Sequence, residues 1–163
     1  MSAQAQAPTA GNGAPPISAH FVNNVLAAAA SYIDDDPDLA RDVLAELGQF
    51  LSYLLRDDRG AVAVSQELAH TATYLRLQQA RFPGRITTDL PAPEALAATR
   101  VAPGAIQGPI AEALGRRLRE RAGACALTVR PAQGGLEVEL AGEDGAPAER
   151  LAIALGDVSE ATA

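Results

Sequence analysis

Two histidines, His20 and His70, are the only imidazoles of this 163-residue chain, and their settings differ. His20 lies in "ISAHFVNNVLAAAASYI", one helical turn before Asn24, so a side-chain amide on the same helix face could orient the ring or bond a phosphoryl oxygen. A neutral imidazole nitrogen on an exposed helix is a suitable nucleophile for a phosphoryl group, whose transfer depends chiefly on positioning and charge neutralisation. The alternative is a helix residue at a hairpin surface or in a polar corner of the core, with no chemical role. His70 stands among Gln66, Glu67 and Thr73 with no motif partner, which predicts a solvated helix face. The single cysteine, Cys125, cannot form an internal disulfide and lies in the apolar run "ACALTV", where a buried structural thiol is expected. Asp34, Asp35 and Asp36 lack the spacing of a calcium loop and read as a turn and a helix cap, so no metal site is expected.

The elements that must position these groups are constrained by composition. An apolar fraction of 48% supplies a core for one compact domain, or for a helical hairpin plus a small second layer. The net charge of −7, with no basic cluster larger than Arg116, Arg117, Arg119 and Arg121, argues against nucleic acid as a partner. All 13 basic residues are Arg, a usage that with the abundant Ala and Gly suggests a GC-rich bacterial genome. The longest apolar stretch, Val25 to Ile33, is too short to span a bilayer, and the N-terminus lacks a signal-peptide pattern, so a cytoplasmic protein with no membrane span is expected.

Residues 1–16, rich in Ala, Gln, Gly and Pro, read as a disordered tail. From Ile17, apolar residues at three- and four-residue steps mark a first helix with Ser18 as its cap. Pro37 stops it, and Asp36 and Pro37 suit the cap and first position of a second helix whose wide stripe runs from Leu39 to Leu55. So short a turn makes an antiparallel hairpin, 17–58, with one apolar face too many. The spare face, assigned to Phe21, Val25, Leu47, Phe50 and Leu54, needs another domain or a second copy of the hairpin to cover it. Ser65 is a candidate cap for a third helix reaching about Phe82. "RITTDL" alternates like a strand, a fourth helix fits Pro103 to Arg121, and "CALTVRP", "LEVELAG" and "RLAIALG" read as a β-meander, within a second unit spanning 62–158.

Several of these segments resemble the LytS-type sensor histidine kinases. "AHFVNNVLA" is similar to that family's "PHFLFNTLN"-like phosphoacceptor motif, with Ala19 for Pro and Asn23 for the second Phe, and "LSYLLRD" to its "LSDLLRYSL"-like stretch. "VSQELAHTATYLRLQQARFPGRI" fits the pattern "EEL…YL.IEQ.RF.DRL" through Glu67, Leu68, Tyr74, Leu75, Gln79, Arg81, Phe82 and Arg85. The resemblance runs from Ile17 to about Pro147 and is strongest up to Ile86. It implies an α+β chain: a helical hairpin forming a dimeric four-helix bundle, followed by a small, degenerate Bergerat-type (GHKL) α/β sandwich.

The nucleotide site departs from the family. Where the family reads "PPLLLQPLVENAIRHG", this chain has "APGAIQGPIAEALGRRL", keeping Glu112 but placing Ala113 where the Mg²⁺-binding Asn belongs, and alanine has no oxygen for a hard cation. The "D.GPG" motif is reduced to "EDGAP", with Asp144 and Gly145 recognisable, and no Gly-rich lid follows in this sequence. ATP binding and autokinase activity are therefore not expected. The combination resembles histidine phosphotransferases derived from histidine kinases, which implies that His20 accepts a phosphoryl group, that Asn24 orients it, and that a response-regulator receiver domain docks near Asn23, Arg41 and Arg56. Mg²⁺ would come with the receiver, and the chain itself would need no cofactor. The rival is a non-catalytic dimeric scaffold or pseudokinase that binds or sequesters a regulator or kinase.

Overall fold

The computed structural model describes residues 18–56, 60–92, 96, 99–143 and 145–156. The expected tail 1–16, Ile17, the hairpin end at 57–58, Asp144 and the end of the second unit at 157–158 lie outside the described residues.

Helix α1 (Ala19–Tyr32) starts as its sequence dictates: Ser18 is extended, and its Oγ accepts from the Phe21 N–H at 3.1 Å. Helix α2 (Pro37–Leu54) is capped by Asp36, whose Oδ1 accepts from the Leu39 N–H at 3.0 Å, with Pro37 in the first turn, where its missing N–H costs nothing. Asp34 and Asp35 fill the turn between them. A two-residue strand β1 (Val62–Ala63) leads into α3 (Val64–Arg81), then β2 (Ile86–Asp89), a short β3 (Arg100–Val101) paired antiparallel with β1, and α4 (Gln107–Glu120). Strands β4 (Cys125–Ala132), β5 (Gly135–Gly142) and β6 (Glu149–Ala154) complete the fold.

The main sheet has the order β2-β4-β5-β6, with β2 parallel to β4 and the rest antiparallel. Alternation sets its two faces. Cys125, Leu127, Val129, Leu136, Val138, Leu140 and Ile153 point into the core, and Arg130, Glu139 and Arg150 point outward, where Arg130 meets Asp89 at 2.5 Å and Arg150 meets Glu139 at 2.6 Å. Ile106, Ile110 and Leu114 join the same core from around α4. Cys125 is buried, as its sequence context predicts, and burial pushes its thiol up.

Two expectations are corrected and a third is narrowed. The third helix does not begin at Ser65: its N-cap position is Ala63, whose N–H donates to Gln66 Oε1 at 3.3 Å. The fourth begins at Gln107, because residues 103–106 form turns around Gly104, at φ 82°. Of the two covers expected for the hairpin's spare apolar face, another domain or a second copy, the second is not needed for most of it, since α3 packs on both hairpin helices and buries Val25, Leu47 and Phe50 in one continuous core. Tyr32 Oη donates to the Ala80 carbonyl at 2.6 Å, and Arg76 pairs with Glu46, so α1 and α2 are each tied to α3. The hairpin's uncovered apolar residues are instead Leu26, Ile33, Leu39, Leu44 and Leu55.

Candidate functional site

His20 lies in the first turn of α1, exposed, and the helix brings Asn24 beneath it: Asn24 Nδ2 lies 3.0 Å from His20 Nε2. The amide nitrogen can only donate, so this contact is a hydrogen bond in the tautomer that carries its ring proton on Nδ1 and leaves Nε2 to accept. Attack through Nε2 then requires the amide to turn off that lone pair, which leaves its N–H groups available to an incoming oxyanion.

His20 also lines a cleft of about 450 Å³ between the hairpin, α3 and α4. Phe21 and Tyr74 stack in it with ring centroids 5.6 Å apart, and Arg81 and Arg119 reach it from α3 and α4. A hydrogen-bonded series runs along α3: Gln78 Nε2 donates to Tyr74 Oη at 2.6 Å, and Arg81 donates to Gln78 Oε1 at 2.9 Å. Burial raises the Tyr74 pKa, keeping the phenol neutral, and burial lowers that of Arg81. Arg81 was legible only as part of the "QQARF" match, and Arg119 only as one of a run of arginines; nothing in the sequence put either beside His20.

The other expected site residues are dispersed. Asn23 is exposed on α1, next to His20 in sequence. Arg41 sits in the first turns of α2, paired with Asp38, and the antiparallel hairpin sets it roughly 10 Å or more along the axis from His20 at 1.5 Å per residue. Arg56 lines a different, smaller cleft with Tyr53 and His70. Glu112 is exposed on α4, whereas the neighbouring Ala113 is packed in the core at 3% exposure. Gly145 adopts φ 71° in the turn after β5, and Asp144 lies outside the described residues.

His70 is not solvated. It is 5% exposed, stacked on Phe50 at 4.6 Å and on Tyr53 at 4.0 Å between ring centroids, and its Nε2 is buried without a hydrogen-bond partner. Burial depresses its pKa to about 4, against the opposing pull of Glu67. The polar flank that predicted exposure misleads because α3 is the central helix, with the hairpin on one side and the sheet and α4 on the other. Its other buried polar residues therefore pair internally. Glu67, fully buried, accepts from Tyr53 Oη at 2.6 Å and from the Gly104 and Ile106 N–H groups at 2.9 and 3.3 Å.

Residues 16–86 match the family model described as histidine kinase. Over 92 residues the chain is 34% identical to the sensor protein LytS of Enterococcus faecalis (strain ATCC 700802 / V583), covering 56% of this chain and 16% of that protein. It is 27% identical over 114 residues to the sensor protein LytS of Bacillus subtilis (strain 168), covering 69% of this chain and 19% of the relative. Against the sensor histidine kinase YpdA of Escherichia coli (strain K12) it is 36% identical over 73 residues, or 44% of this chain and 13% of the relative. The chain thus spans less than a fifth of the length of these curated relatives.

Proposed function

We propose that the chain, whose residues 16–86 match the histidine kinase family model and which is similar to LytS sensor proteins, acts as a histidine phosphotransferase, exchanging a phosphoryl group between His20 and the aspartates of response-regulator receivers without ATP-dependent autokinase activity. The observation that carries this reading is the exposed imidazole of His20 with the Asn24 amide 3.0 Å from Nε2. In the proposed step Nε2 attacks the receiver's aspartyl phosphate in line. The P–N bond forms as the acyl-phosphate P–O bond breaks, the electron pair leaves on the receiver's carboxylate, and the Nδ1 proton passes to water. A receiver's Mg²⁺ would supply charge neutralisation at the phosphoryl oxygens, and the Asn24 amide donates to one of them after turning off the lone pair. Ala113, packed in the core, offers no oxygen to a nucleotide-bound metal. Calorimetry with Mg-ATP is accordingly expected to show no micromolar binding.

The test is incubation of the purified chain with phosphorylated receivers from its own cell, followed by assay of acid-labile phosphate. His20→Gln is expected to abolish labelling with fold intact, because glutamine keeps size and polarity but has no nucleophilic nitrogen. Asn24→Ala should slow labelling by about 10- to 100-fold, the scale of a lost positioning contact. A parent chain that binds one receiver tightly yet is labelled by none would reject phosphotransfer in favour of a scaffold. We infer further that the chain works as a homodimer through the uncovered face of its hairpin.

A further inference from the structure

A cation stripped of part of its water and given no counter-ion is costly to hold, and the cleft beside His20 contains such a group. Arg81 is partly buried at the end of α3, its guanidinium 5.5 Å from the Phe21 ring centroid and 5.0 Å from that of Phe82. Its polar contact is with Gln78 Oε1, at 2.9 Å, and among the described residues no carboxylate pairs with it. Arg119 enters the same cleft from α4, also without an ion pair among the described residues. By comparison, Arg41, Arg76, Arg116, Arg130 and Arg150 each meet an Asp or Glu, and Arg85 and Arg100 donate to backbone carbonyls. Among the described residues no acidic side chain lines the cleft, in a chain whose net charge is −7. The arrangement is also fixed in advance, since the Gln78 amide is held by Tyr74 Oη with its oxygen toward Arg81.

We propose that this cleft is a phosphoryl-binding site, in which Arg81 and Arg119 hold the oxygens of a small organic phosphate and Phe21, Tyr74 and Leu118 seat its apolar or aromatic body. Guanidinium forks match the tetrahedral anion, and an anion restores the counter-charge that partly buried Arg81 lacks. A volume of about 450 Å³ accommodates a ligand of nucleoside-monophosphate size. The same chemistry has a second source, a phosphoryl group carried on His20, which lines the same cleft. That source rests on the phosphotransfer reading, whereas a free organic phosphate does not.

The full chain is titrated with inorganic phosphate and with AMP, followed by the NMR signals of the arginine side chains. Saturable shifts at Arg81 and Arg119 are expected, with AMP binding more tightly than phosphate, and Arg119→Gln weakening both at least about tenfold. Arg119 is exposed, so its loss leaves the core untouched; Arg81→Lys keeps charge at the less tolerant position and should retain part of the affinity. For the covalent source, the chain is phosphorylated with phosphoramidate and the phosphohistidine ³¹P signal is titrated: neighbouring guanidinium groups should lower its midpoint, and Arg119→Gln should move it back up. AMP binding no tighter than phosphate would overturn the seat for an organic body. Absence of saturable shifts in the parent up to on the order of 10 mM ligand, together with a ³¹P midpoint unmoved by Arg119→Gln, would overturn the site. A cleft that binds phosphate while phosphorylated receivers never label His20 rejects phosphotransfer and keeps the site; a labelled His20 beside a silent cleft does the reverse.

Discussion

His70 shows how a single buried imidazole ties stability to pH. Its ring stacks on Phe50 and Tyr53, its Nε2 lacks a partner, and its pKa falls to about 4, against roughly 6.5 for an unfolded histidine. The folded state therefore holds His70 neutral where the unfolded chain takes up a proton. Its contribution is full above about pH 6.5 and is lost as pH falls toward 4, amounting to at most ~3 kcal/mol. The groups facing it are Glu67 on α3, Tyr53 on α2 and Arg56 just beyond the end of α2, and Glu67 opposes the shift. Replacing it by Phe keeps the stacking and removes the unpaired nitrogen. Urea midpoints of His70→Phe should match or exceed the parent's at pH 7.5 and fall less steeply between pH 6.5 and 4; an unchanged difference between the two proteins across that window would refute the account. The two histidines also mark what a sequence can convey. The His20–Asn24 pairing follows from helical spacing alone, and the structure contains that hydrogen bond. The burial of His70 depends on which elements close over α3, and no local pattern encodes that.

At the scale of elements, the caps were legible because they are local: Ser18 for α1, and Asp36 with Pro37 for α2, act within one turn of themselves. The meander strands were legible because alternation places Leu127 and Val129 inside and Arg130 outside. The short β1–β3 ladder was not, since two residues carry no periodicity. Nor was the junction at Glu67, whose carboxylate links α2 through Tyr53 to the turn entering α4 through Gly104 and Ile106. Burial, with the Glu67 hydrogen bond adding to it, raises the Tyr53 pKa, so the phenol stays protonated and donates. A buried carboxylate surrounded by donors has no good neutral substitute. Glu67→Gln presents an amide N–H₂ to at least one of three donors, and should cost about 2–4 kcal/mol. Tyr53→Phe deletes one bond and should cost about 1–2 kcal/mol. Chemical denaturation that ranks the two variants in the opposite order would show that Glu67 is not the hub of this junction.

At the scale of the molecule, the hairpin must serve two neighbours at once. One face is spent on α3, with Val25, Leu47 and Phe50 in the common core. The other leaves Leu26, Ile33, Leu44 and Leu55 at 43%, 57%, 47% and 73% exposure. Leu26 on α1 and Ile33, its C-cap with αR backbone, are two helical turns apart and so share one side. The antiparallel return of α2 brings Leu44 to the height of Leu26. An apolar stripe of this kind, on a hairpin whose opposite face is already covered, suits a second copy related by a two-fold axis, and it moves the proposed four-helix bundle to residues different from those the helical pattern first suggested. The two faces predict opposite responses to the same kind of substitution. Leu47→Asp buries an unpaired charge within the chain's own core, at about 3–5 kcal/mol, and should unfold the monomer along with any dimer. Leu26→Glu combined with Leu44→Glu places its charges only where the partner would sit, and two-fold symmetry repeats each of them across the interface. Light scattering should give a dimer mass for the parent and a monomer mass for the double variant, with the circular dichroism of the two unchanged. A parent that remains monomeric at micromolar concentrations, or a double variant that remains dimeric, would reject this face as the interface.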